Sequence, residues 1–263
     1  MVLSGATRVH LIVGDPIAQV KAPAGLTQAL AQAGRDAVCL PAHVAPSDLQ
    51  AWCQGVSKAK NLDSIIVTVP HKFAAFELCA SATDRAAFLG AVNVMRRNAD
   101  GSWHGDMVDG QGYVHALRAR NFEPAGRRVL LVGAGGAGTA IAYGLVRAGV
   151  RELAIHDAHA QRRDQLVGKL AALGLGAVSV GSTDPRGFDG VINATPMGMK
   201  PGDPLPIDAR HFSAEQFVGC VITEPVVPPM IAAARGIGCH TLTGEDMFAK
   251  VRDLLLQFLL EAP

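Results

Sequence analysis

In Val129-Leu-Leu-Val-Gly133-Ala-Gly135-Gly-Ala-Gly138, an apolar strand runs into a glycine-rich turn and the start of a helix. Glycines at this spacing, G-x-G-x-x-G, have three separate tasks. The first permits the tight turn, the second leaves room for a pyrophosphate against bare backbone, and the third lets the helix pack closely on the strand. The helix start also offers N–H groups to phosphate oxygens. The stretch therefore predicts a dinucleotide-binding site built from Gly133, Gly135, Gly136, Ala137 and Gly138.

A carboxylate follows the next predicted strand. That strand is Glu152–His156, and Asp157 comes directly after it. A carboxylate at this point accepts hydrogen bonds from ribose hydroxyls and repels a 2′-phosphate, so Asp157 favours NAD over NADP as the cofactor. Two alternatives stay open: Asp157 only caps the following turn, or Arg162 and Arg163 hold a phosphate there.

The composition is that of a globular chain with enough apolar material for two cores. Hydrophobic residues make up 49% and charged residues 18% of the 263 residues, and the formal net charge is only +1. Since there is no basic patch or tail, neither nucleic acid nor a membrane is predicted as a partner. A signal sequence is not evident and the five cysteines are scattered, which is typical of reduced thiols in the cytoplasm. The nine histidines lack metal-ligand spacing, so no metal site is expected.

Strands and helices alternate along both halves of the chain, which predicts an α/β fold with mainly parallel sheets. The predicted strands are Val9–Val13, Ala37–Leu40, Ile65–Val69, Ala91–Arg96, Ser102–His104, Val129–Val132, Glu152–His156, Ala177–Val180, Val191–Asn193 and Phe217–Ile222. The predicted helices are Pro23–Ala33, Pro46–Val56, His71–Ala80, a helix from Asp109 to about Arg118, Thr139–Ala148, Arg162–Leu173 and Glu245–Leu260.

The glycine motif lies in the middle of the chain, although it normally begins a nucleotide-binding domain, so a separate domain is expected before it. We predict an α/β substrate-binding and catalytic domain at residues 1–117, joined by the C-terminal helix at 244–263. Residues 118–243 are predicted to form a Rossmann dinucleotide-binding domain.

Four polar residues of the first half are candidates for chemistry. Lys72 follows a strand end and is a candidate general base, because partial desolvation lowers the pKa of a lysine; the alternative is an ordinary solvated lysine. Asp109 lies at a loop-to-helix junction, where an N-cap is the alternative. Asn93 lies inside the apolar run Ala91–Met95, so its amide must be paired or lie at a site. His71 is either a second base or a helix-start residue.

A series of ordered segments carries a family resemblance: Gly14-Asp-Pro-Ile-Ala18, Lys21-Ala-Pro23, Val67-Thr-Val-Pro-His-Lys72, Gly90-Ala-Val-Asn93, Asp109-Gly-Gln-Gly112, Val132-Gly-Ala-Gly-Gly-Ala-Gly138 and Ile192-Asn-Ala-Thr-Pro-Met-Gly-Met199. Together they resemble the shikimate dehydrogenase family over essentially the full length of the chain. The resemblance implies that Lys72 and Asp109 form the catalytic pair and that Thr68 and Asn93 hold substrate hydroxyls. It also places Asn193, Thr195, Met197 and Gly244 at the cofactor.

The chain departs from the family pattern where the substrate carboxylate is expected to bind. Val20 and Ala22 stand where the family carries two serines, Thr223 replaces a tyrosine, and Val251 replaces a glutamine. Two asparagines of the family are replaced by Ile66 and Met107. Since a buried carboxylate without donors costs ~1–3 kcal/mol for each missing bond, we expect shikimate to bind poorly unless Lys21 or Gln19 compensates.

The resemblance implies an NAD(P)-dependent oxidoreductase that transfers hydride reversibly between nicotinamide and a ring hydroxyl of shikimate or a related cyclic hydroxy acid or polyol. The expected partners are this small molecule and the dinucleotide, and the chain is expected to be a monomer or homodimer. Two other interpretations are a methylenetetrahydrofolate-type dehydrogenase and a non-enzymatic, NAD-binding regulatory protein.

Overall fold

The computed structural model describes residues 3–261, which divide into two compact units. Unit 1 contains the described residues up to Val108 together with those from Arg252 onward, and unit 2 contains Asp109–Val251. Each unit has a six-stranded sheet of its own. Among residues 3–261, every helix is too short or too polar to cross a membrane.

Unit 1 is built on a mixed sheet. Hydrogen bonds join its strands in the order β2-β1-β3-β5-β6-β4, where the strands are β1 (Arg8–Gly14), β2 (Ala37–His43), β3 (Leu62–Val67), β4 (Ser81–Ala82), β5 (Val94–Arg97) and β6 (Trp103–Asp106). β1, β2 and β3 are parallel, while β5 is antiparallel to both β3 and β6. The helices of this part of the chain are α1 (Ala22–Gln32), α2 (Leu49–Val56), α3 (Lys72–Phe76) and α4 (Asp84–Leu89).

Unit 2 is built on a parallel sheet. Its strands are β7 (Arg128–Val132), β8 (Glu152–His156), β9 (Ala177–Val180), β10 (Gly190–Asn193), β11 (Phe217–Cys220) and β12 (His240–Leu242). They pair in the order β9-β8-β7-β10-β11-β12, which is the strand order of doubly wound dinucleotide-binding folds. The helices are α5 (Asp109–Ala119), α6 (Gly136–Arg147), α7 (Ala160–Ala171), α8 (Pro229–Ile237) and α9 (Gly244–Leu260). The residues of α9 from Arg252 onward belong to unit 1.

The core of unit 2 explains why its strands are so apolar. β7 and β10 lie in the middle of the sheet, and Leu130, Leu131, Val191 and Ile192 are almost completely buried. A parallel strand covered on both faces has no side that must be polar, so its sequence is a continuous apolar run.

All the predicted strands and helices are present in the structure, but several boundaries differ, and two strands and two α-helices of residues 3–261 were not predicted. The helix predicted at His71–Ala80 ends at Phe76, and the one predicted from Thr139 begins inside the glycine motif, at Gly136. The missed elements are β4, α4, α8 and β12. They are short, and α4 and α8 are each closed by a left-handed glycine, Gly90 and Gly238.

The boundary between the units lies earlier than the predicted 117/118, because α5 packs into unit 2. Two glycines bring the backbones of α5 and α6 into contact. A Cβ on Gly110 would lie 2.0 Å from the carbonyl oxygen of Ala140, and one on Gly144 would lie 2.6 Å from the oxygen of Gly110. The first residues of α9 also belong to unit 2, although the second boundary was predicted at 243/244; there Val251 lies against Gly112.

Candidate functional site

The sheet of unit 1 gathers the predicted residues of the first half at one edge. β1 and β3 are parallel, with Val13 opposite Val67, so both strands end there. β5 begins and β6 ends at the same edge, because Val94 pairs with both Ile66 and Asp106. The segments that carry Thr68, Asn93 and Met107 therefore emerge side by side.

Backbone hydrogen bonds continue across these segments beyond the ends of the strands. The N–H of Thr68 donates to the oxygen of Val13 over 2.9 Å. The N–H of Val67 donates to the oxygen of Asn93 over 2.8 Å, and the N–H of Asn93 donates to the oxygen of Asp106 over 2.9 Å. This network of backbone bonds fixes the spacing of the segments that carry the candidate side chains.

Asn93 joins this network with its side chain as well. The residue is 3% exposed, and its Oδ1 accepts a hydrogen bond from the N–H of Val108 over 3.0 Å. The side chain therefore holds the chain one residue before Asp109, which is buried and begins α5. The amide predicted to be paired or to lie at a site is thus paired through its oxygen, and it lies at the edge that carries Thr68.

Lys72 begins α3, directly after the turn that carries Thr68. It is only 9% exposed, and its carbonyl oxygen accepts a hydrogen bond from Val92 over 3.0 Å. Lys72 is therefore not an ordinary solvated surface lysine. The neighbouring His71 is also buried, and its Nε2 lies 2.8 Å from the oxygen of Val44. Since a carbonyl only accepts, that ring nitrogen donates, and His71 anchors the start of the helix.

A buried carboxylate beneath this edge was missed in the sequence. Asp106 is fully buried, and its Oδ1 accepts from Thr83 Oγ1 over 2.5 Å, from Arg85 Nε over 2.7 Å and from the N–H of Met107 over 2.7 Å. A second hydrogen bond joins the Arg85 guanidinium to Oδ2. We call Thr83, Arg85 and Asp106 the Asp106 clamp. The clamp fixes the start of the segment that leads to Asp109.

In unit 2, the glycine turn lies at the carboxyl ends of parallel strands. Gly133 has φ 111°, and a Cβ there would lie 2.8 Å from the carbonyl carbon of Ala194. A Cβ on Gly138 would lie 1.9 Å from the oxygen of Gly133. Packing within the protein therefore requires both glycines. A Cβ on Gly135 would meet nothing within 4 Å among the described residues, so the backbone is open there, as a bound pyrophosphate requires.

The amides next to this open position begin α6. Gly135 is the N-cap residue and has no side-chain cap hydrogen bond. Gly136 and Ala137 follow in the first turn, where backbone N–H groups have no intrahelical acceptor. The turn thus has both the space and the donors that suit a phosphate.

Asp157 faces inward, toward the glycine turn. Its side chain is 3% exposed, and it accepts from the N–H of Ala134 over 2.6 Å, the N–H of His159 over 2.8 Å, and Arg162 over 2.8 and 2.7 Å. Burial acts to raise the pKa of Asp157, but these hydrogen bonds and the Arg162 charge outweigh it and lower the pKa. The carboxylate is therefore charged, and it links the glycine turn to the start of α7.

The segment after β10 is held by its own side chains. Asn193 is fully buried, and its Oδ1 accepts from the N–H of Thr195 over 2.9 Å and from Thr195 Oγ1 over 2.7 Å. The N–H of Met197 in turn donates to Thr195 Oγ1 over 3.1 Å. Because β10 lies beside β7, this ordered segment starts at the same sheet edge as the glycine turn.

The remaining predicted positions lie in different surroundings. Val20 and Thr223 are half-buried, and Ala22 is buried at the start of α1. Val251 packs against Gly112, and Gly244 approaches the backbone so closely that a Cβ would lie 2.3 Å from the oxygen of Ile222. Over residues 3–261, no group of three or more His, Cys, Asp or Glu side chains is placed to hold a metal ion.

Comparison with known proteins identifies relatives along nearly the whole chain. Residues 12–95 match the family model described as the shikimate dehydrogenase substrate binding domain. A shikimate dehydrogenase (NADP(+)) of Moorella thermoacetica is 34% identical over 253 residues, covering 93% of this chain and 85% of the relative. A quinate/shikimate dehydrogenase (NAD(+)) of Corynebacterium efficiens is 31% identical, covering 90% of this chain and 87% of the relative.

A solved structure extends the comparison to another activity. The ligand-free 5-ketofructose reductase of Gluconobacter sp. strain CHM43 is 26% identical and superposes with a TM-score of 0.82, covering 97% of this chain and 93% of that one.

The Asp106 clamp gives a stability prediction. Arg85→Ala leaves the buried Asp106 carboxylate without its partly exposed counter-charge, so the free energy of unfolding should fall by about 1–3 kcal/mol, as for a buried acceptor that loses its donor. Chemical denaturation measures this loss, and adding Asp106→Asn should recover part of it by removing the charge. Arg186→Ala is the matched control, since its pair with Asp184 is exposed and should contribute far less. Equal losses in the two single variants would contradict the clamp.

Proposed function

The chain belongs to the shikimate dehydrogenase family, and from this membership we propose that it transfers hydride reversibly between a nicotinamide cofactor and a ring hydroxyl of shikimate or a related cyclic hydroxy acid or polyol. It is an NAD(P)-dependent oxidoreductase of that family. The observation that carries the proposal is the edge of unit 1, where one hydrogen-bond network spaces the segments of Thr68 and Asn93 and Lys72 lies buried beside them. The methylenetetrahydrofolate and regulatory interpretations lack such support.

The proposed chemistry assigns a proton-transfer role to Lys72. A bound nicotinamide would supply the hydride acceptor for the carbon that carries the reacting hydroxyl. The hydroxyl proton would pass to the side-chain nitrogen of Lys72, which would return it in the reverse direction. The family resemblance assigns Asp109 as the partner of Lys72 in this proton transfer.

Thr68 and Asn93 are proposed to hold the substrate hydroxyls. The Oδ1 of Asn93 already accepts from Val108, so its NH₂ group is the part suited to a substrate oxygen. The same bond restricts the rotation of the amide, and a group held in advance loses little entropy when the substrate binds.

The dinucleotide is proposed to lie along the carboxyl edge of unit 2. Gly133, Gly135, Gly136, Ala137 and Gly138 would hold its pyrophosphate, in line with the open backbone at Gly135. The segment of Asn193, Thr195 and Met197 and the position of Gly244 would border the nicotinamide. Asp157 carries a negative charge next to the glycine turn, which supports NAD as the preferred cofactor.

The substrate carboxylate is the part that this chain is least equipped to bind. Val20 and Ala22 have no side-chain donors, and a carboxylate that leaves water needs replacements for its lost hydrogen bonds. A sugar such as 5-ketofructose, the substrate named for the Gluconobacter relative, has no carboxylate. These observations support a neutral polyol or keto sugar over shikimate as the preferred substrate.

Lys72 gives the test of the catalytic role. Lys72→Ala should lower turnover at least a hundredfold with little change in NAD affinity, because general acid–base groups contribute ~10²–10⁴ in rate. Lys72→Met, which keeps the buried stem, should be as inactive, and exposed Lys58→Ala should be normal. Steady-state assays with a panel of cyclic hydroxy acids, polyols and keto sugars measure turnover, and nucleotide titration measures affinity. Near-normal turnover in both Lys72 variants would remove the residue from the mechanism.

The cofactor preference has its own test. The ratio of kcat/KM for NAD to that for NADP should exceed one, and Asp157→Ala should reduce it, because the variant lacks the charge that repels a 2′-phosphate. Asp157→Asn should act similarly while keeping an oxygen for the N–H of Ala134. A wild-type chain that clearly prefers NADP would contradict the role of Asp157.

The carboxylate site is tested by restoring donors. Val20→Ser with Ala22→Ser should lower KM for shikimate at least about tenfold and change kcat little, because contacts to a remote carboxylate are equal in the ground and transition states. The measurement uses shikimate with saturating NAD, and exposed Ala24→Ser on the same helix is the control. A wild-type chain already efficient on shikimate, and unimproved by the serines, would show that another donor such as Lys21 binds the carboxylate.

A further inference from the structure

We propose that Arg162 sets how strongly this chain discriminates between NAD and NADP, by moving between the Asp157 carboxylate and the 2′-phosphate. The inference rests on the dinucleotide site proposed above. Arg162 lies in the first turns of α7, and its guanidinium contacts both oxygens of Asp157, over 2.8 and 2.7 Å. Arg162 is thus bonded to the residue that follows β8, at the strand end where the adenosine ribose is expected.

All hydrogen-bond acceptor positions of the Asp157 carboxylate are occupied while Arg162 is bound to it. A carboxylate offers about four acceptor positions, two on each oxygen. Oδ1 accepts from the N–H of His159 and from Arg162, and Oδ2 accepts from the N–H of Ala134 and from Arg162. Ribose hydroxyls can therefore bind Asp157 only in place of an existing partner.

Arg162 is the one of these partners that can leave. The donors of Ala134 and His159 are backbone amides at the glycine turn and before α7, so the fold fixes them. The Arg162 side chain is 46% exposed, and its released guanidinium would be rehydrated at little cost. The hydroxyls of NAD would replace Arg162 on a carboxylate that the two amides keep in position.

The 2′-phosphate of NADP changes the balance of charges. It meets the fixed negative charge of Asp157, but it also attracts the guanidinium, which can bind a phosphate through two donors. Arg162 therefore has opposite effects on the two cofactors: it competes with NAD for Asp157, and it supplies the counter-charge that NADP needs. Asp157 favours NAD, and Arg162 limits that preference.

The neighbouring arginine does not have this geometry. Arg163 is hydrogen-bonded through Nε to Asp164 over 2.7 Å, and its side chain is 21% exposed. It carries the same charge on the same helix, so Arg163→Ala is the matched control for the loss of a positive charge near the site.

The test measures binding of NAD⁺ and NADP⁺ to the full chain by calorimetry, without substrate. Arg162→Ala should bind NADP⁺ at least about tenfold more weakly, as expected for a lost charged hydrogen bond. It should bind NAD⁺ equally well or up to about fivefold more tightly, since an exposed ion pair no longer competes. Arg163→Ala should leave the ratio of the two dissociation constants unchanged, and Arg162→Lys should recover part of the NADP⁺ affinity. Added salt should weaken NADP⁺ binding more in the wild type than in Arg162→Ala.

The possible failures are distinguishable. If both cofactors lose affinity equally in Arg162→Ala, or if Arg163→Ala gives the larger shift, the role of Arg162 is wrong while the dinucleotide site stands. If the wild-type chain binds neither nucleotide, the proposed function and this inference both fail. A melting temperature for each variant shows whether an affinity change reflects unfolding, and the Lys variant preserves the test if Arg162→Ala does not fold.

Discussion

The arrangement of unit 1 depends on the hydrogen bonds of Asn93. Its N–H and carbonyl oxygen bond Asp106 and Val67, and its side-chain oxygen bonds Val108. Polar groups inside an apolar run are costly to bury unless they are paired, and these bonds pair the side-chain oxygen, the N–H and the carbonyl oxygen of Asn93. The same bonds hold the end of β3 and the segment after β6 side by side. Stability and the placement of the candidate site therefore have one physical cause.

Local backbone geometry was the most predictable part of the chain. The glycine spacing predicts a tight turn and close helix packing, and the φ of Gly133 and the short Cβ distances at Gly133 and Gly138 show both. These properties depend on a few consecutive residues, so the sequence contains them. The ends of α4 also follow from local sequence, because Thr83 is a typical N-cap residue and Gly90 a typical left-handed C-cap.

The interactions between distant residues were beyond prediction from one sequence. Thr83 and Arg85 meet Asp106 only because the register of β6 places that carboxylate beside the start of α4. Asp157 was expected either to bind a ribose or to cap the following turn, and its side chain accepts hydrogen bonds from Ala134 and Arg162. Its position at the end of β8 followed from the strand pattern, but the direction of its side chain depends on which donors the tertiary fold supplies.

In both units, backbone hydrogen bonds fix the candidate site, while individual side chains there can vary. At the edge of unit 1 the segments are joined mainly by backbone atoms, which every residue has, so substitutions at Val20 and Ala22 leave those bonds in place. In unit 2 two backbone amides fix Asp157, while an exposed arginine occupies its remaining acceptor positions. Because the fixed parts are made by the main chain, the choice of substrate and of cofactor is left to a few side chains that contribute little to the fold. Relatives in one family can therefore keep one architecture while some are named for NADP(+) and others for NAD(+).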